Sequence, residues 1–209
     1  MKIKICGMKY ADNIQAVADL NPDYLGFIFF EKSLRYAIHD LNAMQLSTIS
    51  GNIQKVGVFV NEELKTIKQI CHEFQITTVQ LHGDESPEFC KKLKNAGFTV
   101  VKAFGINENF DFGNLQIYVD CCDFFLFDTK TSEHGGSGKK FKWDLLNQYH
   151  LKLPFFLSGG ISLDDLDEIK KIKSEYLYAI DVNSRFETEV GLKDVTMLNL
   201  FIKQIRDEF

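Results

Sequence analysis

The chain has 209 residues, 24 Lys and Arg against 29 Asp and Glu, a formal charge of −5, and 45% hydrophobic residues that include 19 Phe. Such a length and apolar content suit one domain with a large core, and the mild acidity excludes the clustered basic footprint of a nucleic-acid or anionic-membrane binder while leaving a local anion site open. No run of about 18 or more apolar residues would span a bilayer, the N-terminus lacks a signal-peptide layout, and the five cysteines (6, 71, 90, 121, 122) form no CxxC pair, so a reduced, cytoplasmic protein without disulfides or a zinc site is expected.

Lys2 to Met8 alternates and ends in Cys6 and Gly7, which reads as a strand whose last inward side chain is a thiol facing a turn. Asp12 is placed to cap a helix through Leu20, with Ile14, Val17 and Ala18 on one face. Tyr24 to Phe30 is a second strand, too continuously apolar for a sheet with one wet face. A loop with Ser33-Leu34-Arg35-Tyr36 leads to a helix over about Leu41 to Ser50, a strand over Val56 to Val60 and a helix over Glu62 to Phe74. Thr77 to Gly83 is the fourth strand and ends, like the first, in polar groups and glycine. Ser86 caps the next helix, with Pro87 at the first helical position, where its missing N–H costs nothing.

Thr99 to Phe104 is the fifth strand. The stretch 107–122 reads poorly: a short helix near Asn114 to Asp120 competes with the strand preference of Ile117, Tyr118 and Val119. Asp123 to Asp128 is strand six, and Thr129 to Lys140, with Gly135-Gly136-Ser137-Gly138, is a long loop of the kind that forms lids. Trp143 to Tyr149 reads as helix, Pro154 to Ser158 as strand seven, Ser162 to Ile172 as a capped helix, Leu177 to Val182 as strand eight, and Asp194 to Arg206 as a final amphipathic helix. Eight strands alternating with eight helical segments, about 26 residues per unit, predict a single closed (β/α)8 TIM barrel over 1–209, of minimal length and with an irregular fifth helix. An open doubly wound sheet is the alternative, but its GxGxxG first turn is missing.

The active site of a barrel lies at the C-terminal ends of its strands, where this chain places Cys6, Arg35, Gln80, His82, Asp128, Ser158-Gly159-Gly160 and Asp181 to Ser184. Each has a plain reading beside a functional one. A lone strand-end cysteine is most often a small buried hydrophobe, Gln80 and His82 can satisfy each other, Arg35 suits solvent as well as a substrate carboxylate, and Asp128 can cap a turn. Asp128 ends a Phe-Phe-Leu-Phe run, however, and a carboxyl beside apolar walls has the raised pKa a general acid needs. Lys4 shares the inward face with Cys6, one step deeper, where its charge would favour the thiolate. The glycines after Ser158 let backbone N–H groups approach an anion at a helix N-terminus, and the loops after strands seven and eight are the recurrent phosphate position of barrels. A phosphorylated small molecule is the ligand this predicts.

In order, Lys4-Ile5-Cys6-Gly7-Met8, Gly26-Phe27-Ile28-Phe29, Ser33-Leu34-Arg35-Tyr36, Val56-Gly57-Val58-Phe59-Val60-Asn61, Gln80-Leu81-His82-Gly83, Leu126-Phe127-Asp128-Thr129, Gly135-Gly136-Ser137-Gly138 with Phe141 and Trp143, Leu157-Ser158-Gly159-Gly160, and Asp181-Val182-Asn183-Ser184 with Glu187, Gly191 and Lys193-Asp194 resemble the phosphoribosylanthranilate isomerases of tryptophan biosynthesis. The resemblance implies an aldose–ketose isomerase that performs an Amadori rearrangement without cofactor or metal, as a monomer or homodimer. It implies Asp128 as the acid for the furanose ring oxygen, Cys6 as the base at C2, Arg35 beside the anthranilate portion with Gln80 and His82 also at the substrate, and Ser158, Gly159, Gly160, Asp181, Asn183, Ser184 and Arg185 at the phosphate.

Two departures stand out. Leu34 replaces the proline that presets the family loop, and Arg185 replaces a residue free to adopt positive φ, so the phosphate turn is expected to change, with Arg185 near the phosphate edge. A different phosphosugar barrel lacks support from a strand-end catalytic lysine or a metal cluster, and a non-catalytic binder would not need both Cys6 and Asp128.

Overall fold

The computed structural model describes residues 1–38, 40–130 and 140–209. Eight parallel strands, β1 (Lys2–Ile5), β2 (Tyr24–Ile28), β3 (Gln54–Phe59), β4 (Thr78–Leu81), β5 (Thr99–Ile106), β6 (Phe124–Thr129), β7 (Phe155–Leu157) and β8 (Leu177–Val182), close into a barrel in sequence order. Closure is made by β1 against β8, with Ile3 opposite Ile180 and Lys4 opposite Asp181. Helices α1 (Ala11–Ala18), α2 (Ala43–Ser47), α3 (Leu64–Glu73), α4 (Pro87–Asn95), α5 (Leu166–Ile169) and α6 (Val195–Glu208) return the chain on the outside, as the alternation of patterns predicts. A short antiparallel hairpin, β9 (Glu187–Glu189) with β10 (Leu192–Lys193), follows β8 and has no counterpart in the sequence reading.

Several boundaries differ from expectation, for local reasons. The first helix starts at Ala11, after Tyr10, so Asp12 sits in the first turn rather than at the cap, where its charge still faces the positive end of the helix dipole. In α2 the cap is Asn42, which accepts from the Gln45 N–H while the Gln45 side chain accepts from the Asn42 N–H, and the helix lasts little more than a turn. The fifth and sixth helical segments are 3₁₀ turns, Phe112–Tyr118 and Trp143–Gln148. The helix expected over Ser162 to Ile172 is reduced to a 3₁₀ turn, Leu163–Asp165, and the four residues of α5; Ser162 does cap it, in a capping box whose Asp165 carboxylate accepts from the Ser162 N–H and hydroxyl. The loop read as a lid falls on 131–139, outside the described residues.

Period-two alternation divides the apolar residues into two cores. One fills the space between barrel and helices, with Ile3, Ile5, Leu25, Phe27, Phe125 and Phe127 among its members. The other lies inside the barrel: Val101, Ala103, Leu126, Phe156 and Ala179, with Tyr24, Phe124 and Tyr178 packed against them. Phe156 is the hub of this inner plug, with ring centroids 5.4 Å from Tyr24, 5.4 Å from Phe124 and 5.6 Å from Tyr178. At the opposite end, among the described residues, Gln80, His82, Asp128, Ser158 and Asp181 line the barrel mouth. Removing the hub of the plug leaves a void that the closed barrel cannot collapse, so Phe156→Ala is expected to cost about 3–5 kcal/mol in urea unfolding. A loss below about 1 kcal/mol would show that the inner core contributes little.

Candidate active site

Along each strand every second residue faces the barrel axis, and at the C-terminal ends these are Cys6 on β1, Ile28 on β2, Val58 on β3, Gln80 and then His82 on β4, Asp128 on β6, Ser158 after β7 and Asp181 on β8. Together with Arg35, Gly159, Gly160, Asn183, Ser184 and Arg185 they line one cleft. All twelve residues singled out from the sequence therefore gather in one place, though not all in the roles expected.

The Cys6 thiol is buried, and two glycines make its room. A Cβ on Gly26 would stand 2.8 Å from Cys6 Sγ and 3.2 Å from Lys4 Cε, while Gly7 turns the chain away at φ +74°. Thus Lys4 does lie beside the thiol, as the alternation predicts. Its ammonium is held 2.9 Å from Asp181 Oδ1, and both side chains are buried. The consequence for Cys6 differs from expectation: burial pushes its thiol above the ordinary range and outweighs the opposing charge and hydrogen bond of Lys4, while Asp181 adds to the rise. Asp181 itself was grouped with the phosphate residues. The structure gives it to Lys4 instead, and an acceptor-only carboxylate at this depth has nothing to donate to a phosphate oxygen.

Asp128 sits across the same cleft with its carboxyl raised to about 6, chiefly by burial and further by Asp181, against the lowering effects of the Thr129 N–H and Lys4. That N–H donates to Oδ1 at 2.7 Å, and His82 Nε2 lies 3.6 Å from Oδ2. Gln80 Nε2 is 3.0 Å from His82 Nδ1, so the amide N–H donates to Nδ1 and the remaining imidazole proton sits on Nε2, facing Asp128. Gln80 Oε1 is buried without a hydrogen-bond partner among the described residues. The end of β4 is held from outside by Lys102, which donates to Gly83 O at 2.7 Å and pairs with Glu85 at 3.2 Å; Glu85 accepts in turn from the Asn61 and Gly83 N–H groups.

Arg35 is not a loose loop residue. Its Nε and Nη2 donate to Glu187 Oε1 and Oε2 at 2.8 and 2.6 Å. Ser33 Oγ accepts from the Arg35 N–H at 3.1 Å, which shapes the turn that proline would otherwise preset, and Leu34 is left 74% exposed. Glu187 also accepts from Lys193 Nζ at 2.6 Å, and the same ammonium donates to Asn183 Oδ1 at 2.6 Å. Asn13 on α1 grips the backbone of Lys193 at both its N–H and its carbonyl, at 2.8 and 2.9 Å. Sequence reasoning gave Glu187 and Lys193 no role. Their only signal was two opposite charges flanking a Gly-containing turn in an otherwise matched motif.

On the remaining wall, Gly159 and Gly160 have φ of +99° and +65°, and a Cβ on Gly159 would come within 2.5 Å of Thr129 Oγ1 and 3.0 Å of Asp128 Oδ1. Glycine there is what lets the loop after β7 pass over Asp128. Because α5 is a single turn, the donors available to an anion are loop N–H groups in a turn rather than the end of a long helix. Ser184 to Phe186 form a 3₁₀ turn in which Arg185 needs no left-handed backbone. Among the described residues, no helix is long and apolar enough to cross a membrane.

The chain's likeness to known proteins agrees with this geometry. The family model described as N-(5'phosphoribosyl)anthranilate (PRA) isomerase matches residues 3–204. N-(5'-phosphoribosyl)anthranilate isomerase of Phocaeicola vulgatus is 42% identical over 208 residues, covering 100% of this chain and 99% of that one. Among solved structures, phosphoribosyl anthranilate isomerase from Thermotoga maritima superposes with a TM-score of 0.83 at 31% identity, with 99% of each chain covered. A phosphoribosyl anthranilate isomerase in complex with reduced 1-(o-carboxyphenylamino)-1-deoxyribulose 5-phosphate does so with a TM-score of 0.81 at 27% identity and the same coverage. With its full length matched and its barrel and cleft built from the motifs that carry the match, this chain belongs to the N-(5'-phosphoribosyl)anthranilate isomerase family.

Proposed function

We propose that the chain converts N-(5-phosphoribosyl)anthranilate to 1-(2-carboxyphenylamino)-1-deoxyribulose 5-phosphate in tryptophan biosynthesis, with Asp128 as general acid and Cys6 as general base and with no cofactor or metal in the scheme. The observation that carries this reading is a buried carboxyl raised to about 6 facing the same cleft as a buried thiol beside an ammonium. Asp128 protonates the furanose ring oxygen as the C1–O bond breaks and the anilino nitrogen supplies the electrons, giving an iminium ion. Cys6 then removes the C2 proton, the electrons settle between C1 and C2, and the nitrogen becomes neutral. Loss of the 2-hydroxyl proton and protonation at C1 complete the ketoamine.

His82, with its proton turned toward Asp128 by Gln80, holds the carboxyl in register. Arg35 receives the anthranilate carboxylate. The loop N–H groups at Gly159 and Gly160, with Ser158, Asn183, Ser184 and Arg185, receive the phosphate, while Asp181 acts through Lys4. All five cysteines are free and buried, which supports a reducing, cytoplasmic setting.

Phosphoribosylanthranilate generated in situ and followed by its fluorescence tests the activity; no enzyme-dependent loss of signal would sink the reading. In that assay Cys6→Ala and Asp128→Asn are each expected to lower kcat by at least about 10²-fold with little change in KM.

Asp128 has a second, independent signature. Its folded pKa lies above its unfolded value of 3.8, so its favourable contribution is complete below 3.8 and is lost as pH rises through about 6. At pH 7 the ionised, buried carboxylate therefore costs about 3 kcal/mol. Asp128→Asn should unfold at higher urea than wild type at pH 7, with the advantage fading toward pH 4. Equal midpoints across that range would mean that Asp128 is not desolvated in solution.

A further inference from the structure

The charged groups at the mouth include two, Glu187 and Lys193, that the acid–base scheme leaves unused, and their geometry gives them a task. A guanidinium has five N–H donors. Glu187 takes the Nε hydrogen and one Nη2 hydrogen of Arg35 along one edge, and the neighbouring edge, Nη1 with the second Nη2 hydrogen, still offers two parallel donors. Resting on the reading of Arg35 given above, we propose that Glu187, itself held by Lys193, is a positioning residue that fixes this free edge as a preset two-point fork for the substrate's aromatic carboxylate.

Charge and burial support the assignment. Lys193 is wholly buried and Glu187 nearly so, so the interaction between them is little screened by solvent. Glu187 and Arg35 alone would sum to zero and attract a carboxylate weakly. Lys193 makes the trio net positive and sets an alternating row, ammonium, carboxylate, guanidinium, that a bound carboxylate continues. Burial raises the Glu187 carboxyl, but the hydrogen bond from Arg35 and the charge and hydrogen bond of Lys193 outweigh it and hold it below the usual range, so it stays ionised at neutral pH.

Lys193 also orients the second wall. An ammonium only donates, so the Asn183 atom it touches is the carbonyl oxygen, and the Asn183 amide is left to offer Nδ2 as a donor at the cleft. Gly7 keeps the two walls together: a Cβ there would lie 2.6 Å from Asn183 Oδ1 and 2.7 Å from Arg35 Cδ.

The test compares two ligands by calorimetry, the reduced 1-(o-carboxyphenylamino)-1-deoxyribulose 5-phosphate and its phenylamino counterpart without the carboxyl. Wild type is expected to prefer the carboxylated ligand by at least about 30-fold, the scale of a charge-assisted two-point contact. In Glu187→Gln the preference should fall below about 3-fold, with the carboxyl-free ligand bound nearly as before. Charge alone predicts the opposite, because that variant makes the mouth more positive.

Glu187→Gln leaves two buried cations unpaired. The double variant Glu187→Gln/Lys193→Met removes one charge of each sign, keeps the net charge of the trio, and is expected to lose the same preference. Retention of the wild-type ratio in the folded variants, or an equal weakening of both ligands, would overturn the positioning role. Absence of any carboxyl preference in wild type would instead overturn the placement of Arg35 at the anthranilate carboxylate, and this inference with it.

Discussion

Lys4 and Asp181, an ion pair 2.9 Å apart and closed off from solvent inside the barrel, are the constraint on which the site depends. A charge at that depth is tolerable only when paired, because desolvation of an isolated ion costs more than packing can return. Neither residue is a reactant in the proposed scheme, yet each acts on both groups that are. Lys4 lowers the pKa of Cys6 and of Asp128, and Asp181 raises both. The pair thus adjusts, in opposite senses, shifts that burial sets in both groups.

The pair also marks the boundary between the two ends of the barrel. Below it, Tyr24, Phe124, Phe156 and Tyr178 pack as edge-to-face and tilted rings that fill the interior, and the Tyr24 and Tyr178 hydroxyls satisfy each other at 2.9 Å. Above it, polar groups join Ile28 and Val58 around the cleft and are held by neighbours: Gln80 on His82, Asp128 on the Thr129 N–H, Arg35 on Glu187. The same period-two alternation that buries the plug therefore delivers the reactive row, and stability and function are built from alternate layers of the same strands. Support from outside, such as Lys102 and Glu85 behind β4, fixes the strand ends without entering the cleft.

How much of this was legible in the sequence follows from the range of the interactions involved. Eight strands, their order, and the residues at their ends could be read because hydrophobic alternation and turn chemistry are local. Helix ends were less legible: Asp12 has cap chemistry, but the chain already enters α1 at Ala11, and the segment after Ser162 begins with the expected cap yet ends at Ile169, short of Ile172. Asp181 was placed correctly and given the wrong partner, because strand-end position fixes where a carboxylate is but not that Lys4, 177 residues earlier, will neutralise it. Glu187 and Lys193 escaped for the same reason, since Arg35 is 152 residues away from Glu187 and the hairpin that presents both carries no strong strand pattern. The raised pKa of Asp128 was legible as a direction, because an apolar strand signals burial, but Phe125 and Phe127 face the outer core and the desolvation comes from the depth of Asp128 inside the barrel mouth.

The two pKa shifts, read together, define the working form of the proposed site. Asp128 titrates near 6 and the Cys6 thiol above its ordinary range, so between those limits the pair holds one proton and keeps it mainly on sulfur. The proposed reaction needs the other arrangement, with the proton on Asp128 and a thiolate opposite. Both arrangements contain the same number of protons, so their ratio is independent of pH across the interval, and activity should form a plateau there rather than a sharp peak. Ring opening followed by C2 deprotonation moves one proton off Asp128 and one onto Cys6, which is the change from the scarce arrangement to the abundant one. The enzyme's own preference thus favours the second proton transfer, and the cationic iminium next to the thiolate appears only after the acid has acted. In this order, the burial that makes Cys6 a poor thiolate at rest also makes it a strong base at the moment it is needed.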